Sequence, residues 1–216
     1  MTKLKCDGII FDVDGTLWDS TEACARAYSK AATQEFGREY RIEADVLKTL
    51  FGKPLSEIAD TLYKGEDPVL IRRVLEKTLL LESEALDEFP PAPYPGVTGI
   101  FRDMSRLVPL FIVSNCQAGY IEQFLRLNRA EDYITDHLCY DDTGLSKAKN
   151  IQLIVQTHQL KHPVYVGDTA LDEQSCREAG VPFVFASYGF GTAAAPDAVI
   201  RSMSGLPSVL EIITQE

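Results

Sequence analysis

The run Phe11-Asp12-Val13-Asp14-Gly15-Thr16 sets two carboxylates two residues apart behind a short apolar segment. In an extended chain such residues point the same way, so both can face one small volume, and Gly15 frees the backbone to turn. Val113-Ser114-Asn115 offers a hydroxyl and an amide that open onto a helical pattern, whose N-terminal amides can hold an anion. Gly144-Leu145-Ser146-Lys147 puts a lysine near a helix start, where the helix dipole does not favour it and an anionic partner would. Val166-Gly167-Asp168-Thr169-Ala170-Leu171-Asp172 adds two aspartates four residues apart, which share a crevice if a helix begins near Thr169.

Carboxylates gathered this closely resist ionising together, because like charges in a partly buried site raise one another's pKa. A hard, oxygen-seeking cation relieves that cost, and Mg²⁺ is the usual choice where phosphate supplies further ligands. The metal and Lys147 would neutralise a phosphoryl group and the charge on its oxygens. One carboxylate is then free to attack phosphorus, and another to pass a proton to the leaving oxygen.

These groups need elements that end side by side. Short runs rich in β-branched and aromatic residues at 8–11, 110–113, 138–140, 164–166 and 183–185 each stop at polar residues and read as buried parallel strands. Helical patterns at 120–127, 148–157 and 170–179 alternate with them, the last closed by Gly180 and Pro182. Such alternation predicts an α/β fold with a doubly wound, mostly parallel, Rossmann-like sheet, which binds ligands at its strand ends. Residues 19–89 break the alternation with helical signals only, at 22–36, 55–63 and 67–88, and predict an inserted all-helical cap. The core is then 1–18 plus 90–216, and the proline-rich run Phe89-Pro-Pro-Ala-Pro-Tyr-Pro-Gly96 marks the return to it.

A chain of 216 residues suffices for one core with a small insertion. A net charge of -11 argues against a nucleic-acid or anionic-membrane surface. No apolar run approaches the roughly 20 residues that cross a bilayer, and the first residues do not read as a secretory signal. Five cysteines scattered without a Cys-x-x-Cys pair support neither a disulfide framework nor a zinc site, and the expectation is free thiols in the cytoplasm.

With these residues in this order, the chain resembles the haloacid dehalogenase superfamily, in its phosphoglycolate phosphatase-like branch with a helical cap, over essentially its whole length. The resemblance implies that Asp12 is the nucleophile, Asp14 the general acid/base, and Ser114 the hydroxyl that binds the phosphoryl group, with Asn115 beside it. It implies Lys147 as the charge-neutralising lysine. Asp168 and Asp172 would complete a Mg²⁺ site with Asp12 and the Asp14 carbonyl. The family's lysine is often followed by proline, whereas here Ala148 and Lys149 follow, so Lys149 is a second candidate.

The second aspartate, Asp14, separates this chain from the dehalogenase and phosphonatase branches, which resemble it but lack that residue. Sugar phosphomutases of the β-phosphoglucomutase kind carry a histidine in the first cap helix, at a position that aligns with Cys24. The expected substrate is a small phosphorylated metabolite, with pyrophosphate and nucleoside monophosphates as alternatives, and no obligate protein partner is evident. In Phe51-Gly52-Lys53-Pro54-Leu55, Lys53 stands at the tip of a cap loop and is a candidate for binding a carboxylate or second phosphate of the substrate. The alternative from another class is a non-enzymatic binding module, which could lose Asp12 or Asp168 without consequence.

Overall fold

The computed structural model describes residues 3–213. The chain runs β1 (Leu4–Cys6), β2 (Gly8–Phe11), then four helices α1 (Thr21–Phe36), α2 (Ala44–Lys48), α3 (Leu55–Leu62) and α4 (Pro68–Glu88). It continues through α5 (Val97–Met104), β3 (Leu110–Ser114), α6 (Tyr120–Asn128), β4 (Asp136–Cys139), α7 (Tyr140–Thr143) and α8 (Lys147–Thr157). It closes with β5 (Pro163–Gly167), α9 (Ala170–Ala179), β6 (Phe183–Ala186), β7 (Ala198–Ile200), α10 (Leu206–Val209) and β8 (Leu210–Ile212).

Six strands form one parallel sheet in the order β4-β3-β2-β5-β6-β7, and β1 pairs with β8 in a separate parallel ribbon. The order reverses direction at β2, which pairs with β3 on one side and β5 on the other. That switch point is where an open α/β sheet leaves a crevice at its carboxyl ends. The alternation of side chains then sorts the core into two layers. Ile9, Phe11, Leu110, Ile112, Val164 and Val166 pack on one face, with α5 and α6. Ile10, Phe111, Val113 and Tyr165 pack on the other, with α8 and α9. Burial on both faces explains why these strands read as continuous apolar runs.

Helices α1 to α4 enclose an apolar cluster of their own, including Tyr28, Ala31, Leu47, Ile58, Tyr63 and Val74. Their ends follow local rules. The Asp67 side chain accepts from the Val69 N–H at 2.7 Å and Pro68 occupies the first turn of α4, while Gly37 closes α1 in the left-handed region at φ 66°. No helix among the described residues is long and apolar enough to cross a membrane, and the five cysteines are free thiols.

The strand expected at 138–140 lies instead at Asp136–Cys139, and Tyr140 begins the single helical turn α7. Asp141 and Asp142 belong to that turn. Asp142 accepts from the Cys139 backbone N–H at 3.1 Å and thereby caps that turn.

Candidate active site

Asp12 follows β2 directly, and its N–H donates to the Val166 carbonyl at 2.9 Å, so the β2–β5 ladder fixes the first residue of the motif. Ser114 ends β3, Asp168 follows β5, and Asp172 lies in the first turn of α9. Asp12, Asp168 and Asp172 are all buried, and each offers an oxygen within 4.8 Å of the other two.

Lys147 is the first residue of α8, after the N-cap Ser146, and is itself buried. Its Nζ donates to Asp12 Oδ1 at 2.8 Å and to Asp172 Oδ1 at 2.7 Å. Burial opposes the charge on Lys147, but Asp12 and Asp172 overcome it and leave the ammonium firmly protonated. Lys149 is exposed and donates to Gln152 Oε1 at 3.2 Å, away from the carboxylates.

Each carboxylate carries further donors. Asp168 accepts from the Thr16 hydroxyl at 3.2 Å and the Phe190 N–H at 2.7 Å. Asp172 Oδ2 accepts from the Asp168 N–H at 3.2 Å, the Thr169 N–H at 3.0 Å and the Thr169 hydroxyl at 2.6 Å. Asp172 is thus the acidic member of a capping box and a wall of the cluster at once. Burial pushes Asp12 and Asp168 above the usual carboxylate range; Lys147 opposes the rise at Asp12, whereas Asp172 and Asp12 add to it at Asp168. Three buried carboxylates against one lysine leave negative charge in excess, and their hard oxygens fit a divalent cation.

Asp14 is held differently. Its Oδ1 lies 3.1 Å from Trp18 Nε1, 2.6 Å from the Ser20 hydroxyl and 2.8 Å from the Tyr120 hydroxyl. Burial raises its pKa to about 7, and the Ser20 and Tyr120 hydrogen bonds moderate the rise. Trp18 is buried core, with edge-on contacts to Tyr120 and Phe124, and its indole N–H also orients Asp14. Sequence reasoning did not find Ser20 or Tyr120. Nor did it find the loop after β6, where a side chain at Gly189 would collide with Asp168 and the Gly15 carbonyl. Gly15, at φ 81°, would likewise drive a Cβ into the Asp168 carboxylate.

One cavity joins these groups to the helical insertion. It is lined by Asp12, Asp14, Ser114 and Asn115 from the sheet side and by Tyr28, Lys53 and Glu82 from the helices. The Asn115 amide donates to the Gly52 carbonyl at 2.7 Å, so it holds the Lys53 loop and one of its two side-chain N–H groups is already engaged. Phe51 meets Phe190 edge-on, and Gln123 and Arg126 of α6 contact Asp87 of α4 at 2.8 Å and 2.5 Å.

A family model described as haloacid dehalogenase-like hydrolase matches residues 9–186. The chain belongs to that family. It is accordingly an enzyme, a hydrolase of the phosphatase type, and not a binding module that merely keeps the fold. A plasmid-borne phosphoglycolate phosphatase of Cupriavidus necator is 28% identical, the match covering 96% of this chain and 94% of the relative. A phosphoglycolate phosphatase of Photobacterium profundum is 26% identical over 94% of this chain and 95% of that protein. Among solved structures, a protein from Haemophilus somnus described as a predicted phosphoglycolate phosphatase superposes with a TM-score of 0.84 at 17% identity, covering 94% of this chain and 97% of that one. At that identity it speaks for the Rossmann-like fold alone.

Proposed function

We propose that this hydrolase cleaves a small phosphomonoester through an aspartyl-phosphate on Asp12, with Mg²⁺ held by Asp12, Asp168, Asp172 and the Asp14 carbonyl. The observation that carries the reading is the position of Lys147, buried with its ammonium 2.8 Å from Asp12 and 2.7 Å from Asp172. The Lys147 ammonium opposes the rise that burial imposes on Asp12 and holds its carboxylate in one orientation for attack. When bound, Mg²⁺ would supply Lewis-acid neutralisation of the phosphoryl oxygens.

In the first step an Asp12 oxygen forms a bond to phosphorus as the bond to the leaving oxygen breaks. Asp14, with its pKa near neutrality, gives the leaving oxygen its proton. In the second step Asp14 takes a proton from water, whose oxygen attacks phosphorus and releases inorganic phosphate and free Asp12. Ser114 borders the same cavity and would bind a phosphoryl oxygen through its hydroxyl. The donors on Asp14 keep its carboxyl turned toward the site through both proton transfers.

Hydrolysis is favoured over phosphomutase chemistry by Cys24. Its thiol is buried 3.6 Å from the Ser20 hydroxyl, and burial beside Glu82 and Asp14 pushes its pKa well up, so it is a poor proton relay. The relatives' names support phosphoglycolate, already implied by the resemblance, as an ester to test, and five free thiols suit a cytoplasmic location.

The test is Mg²⁺-supported phosphate release over sugar phosphates, phosphoglycolate, nucleotides and pyrophosphate. Asp12→Asn is expected to lower turnover on the best ester by on the order of 10⁴ or more while the protein stays folded. An Asp12→Asn variant that still turned over at the wild-type rate would end the aspartyl-phosphate reading.

A further inference from the structure

Glu82 lies in α4, is 2% exposed, and lines the same cavity as Asp12 and Ser114. Its Oε1 accepts a hydrogen bond from Gln117 Nε2, across the boundary between the helical insertion and the sheet. Its Oε2 is buried and accepts no well-formed hydrogen bond, although the Tyr28 hydroxyl and the Cys24 thiol lie beside the carboxyl. A buried polar atom left unpaired costs about 1–3 kcal/mol, so natural structures rarely keep one unless something binds there. Glu82 also belongs to neither the Asp12–Lys147 pair nor the group of donors on Asp14.

We propose that Glu82 is a specificity-determining residue that hydrogen-bonds a hydroxyl group on the leaving portion of the substrate. With phosphorus at Asp12 and Ser114, the lining that remains for the rest of the ester includes Glu82 of α4 and the apolar side chains of Leu55 and Ile58. A hydroxyl suits Glu82 in either ionisation state, since it donates to a carboxylate and accepts from a carboxylic acid. Burial raises the Glu82 pKa to about 7, with Gln117, Tyr28 and Cys24 opposing the rise, so both states are available near neutrality. Gln117 fixes the carboxyl plane, so Oε2 is offered in one direction.

The inference rests on the phosphatase reading and deepens it to a substrate class: phosphomonoesters whose carbon skeleton carries a hydroxyl near the ester. The experiment compares kcat/KM of the full-length protein, with Mg²⁺, on glycerol 3-phosphate and on propyl phosphate, which lacks the hydroxyls. Wild type is expected to prefer the hydroxylated ester by roughly 10- to 100-fold, the scale of one hydrogen bond to an ionisable group. Glu82→Ala is expected to bring that ratio within about threefold of unity, and Glu82→Gln to retain part of it, because an amide still pairs with a hydroxyl.

A purely structural Glu82 would lower both esters alike and leave the ratio unchanged, and that result overturns the proposal. A wild-type ratio near unity overturns it too, with no variant needed. Turnover without discrimination would sink this inference alone, whereas no turnover on any ester would sink the hydrolase chemistry and this inference with it.

Discussion

On the sheet side of the cavity the carboxylates are anchored by named donors: Lys147 on Asp12 and Asp172, Thr16 and Phe190 on Asp168, and Trp18, Ser20 and Tyr120 on Asp14. On the helical side, Glu82 keeps one oxygen without a well-formed hydrogen bond and Lys53 stands half-buried at the rim. Both walls are charged, yet their hydrogen bonds are distributed differently. Groups tied to the protein are held in one geometry, which chemistry at phosphorus requires. A group with spare hydrogen-bonding capacity can take a further partner from what enters the cavity. On the proposed reading, the sheet sets the reaction and the helices set what is admitted to it.

The sharpest division should come from Asp14. Asp14→Asn is expected to lower kcat/KM by about 10²–10⁴ on alkyl phosphates, the usual worth of a general acid. Aryl phosphates, whose leaving groups need little protonation, should lose much less. The pH profile has a definite sign. With its pKa raised to about 7, Asp14 is protonated below that pH and lost as a proton donor above it. Wild-type kcat/KM on an alkyl ester should therefore fall as pH rises past about 7, and the aryl ester should show a weaker fall. Equal losses on both esters would remove Asp14 from the proton path.

Lys147 tests whether the sheet side is a closed set of charges. Lys147→Met leaves Asp12 and Asp172 buried without their cation, and breaking a buried pair in this way costs about 3–5 kcal/mol. Urea unfolding of the metal-free protein should register that loss, and phosphate release should cease. Lys149→Ala, on an exposed side chain, should stay within about 0.5 kcal/mol and keep its activity. The reverse outcome would transfer the essential role to Lys149.

How much of this contrast the sequence discloses depends on the range of the interactions. Strands β2, β3 and β5 are legible because they are buried on both faces and carry unbroken apolar runs. The order of Asp12, Ser114, Lys147 and Asp168 along the chain follows the strand ends. The three-residue strands β1, β7 and β8 are not legible, since runs so short, with exposed residues among them, have no period to detect. Tyr120 reaches Asp14 across 106 residues of chain, and a tyrosine at a helix start gives no sign of it. Glu82 sits in a helix that also carries Glu84, Asp87 and Glu88. Only packing against α1 and Gln117 distinguishes the buried one from its solvated neighbours.

Metal binding should couple the two walls to pH. Burial raises the pKa of Asp168 and Asp12, so the metal-free folded protein holds protons that the unfolded chain has released. Its stability should fall as pH rises above the ordinary carboxylate range toward those raised values. Mg²⁺ competes with the same protons and should stabilise more at pH 8 than at pH 6. At a concentration about 100 times its Kd the ion contributes about 2.7 kcal/mol, roughly 5–10 °C in Tm for a chain of this size. A Mg²⁺-induced shift that is the same at both pH values would mean that the ion binds away from these carboxylates.

The smallest expected effect belongs to Lys53, and it probes the helical wall alone. Lys53 lines the cavity from a loop whose Gly52 has φ 92° and whose carbonyl is held by the Asn115 amide at 2.7 Å. A half-exposed ion pair is worth up to about 1 kcal/mol, so Lys53→Ala should raise KM roughly fivefold for esters with a second anionic group and leave kcat alone. Esters whose leaving group is uncharged should show no change. Asn115→Ala, by freeing the Gly52 carbonyl, should reproduce part of that KM increase, because the loop that carries the ammonium loses its tether to the strand end. A Lys53→Ala effect on kcat instead, uniform over charged and neutral esters, would mean that the loop contributes to the reaction itself, and the division between the two walls would have to be redrawn there.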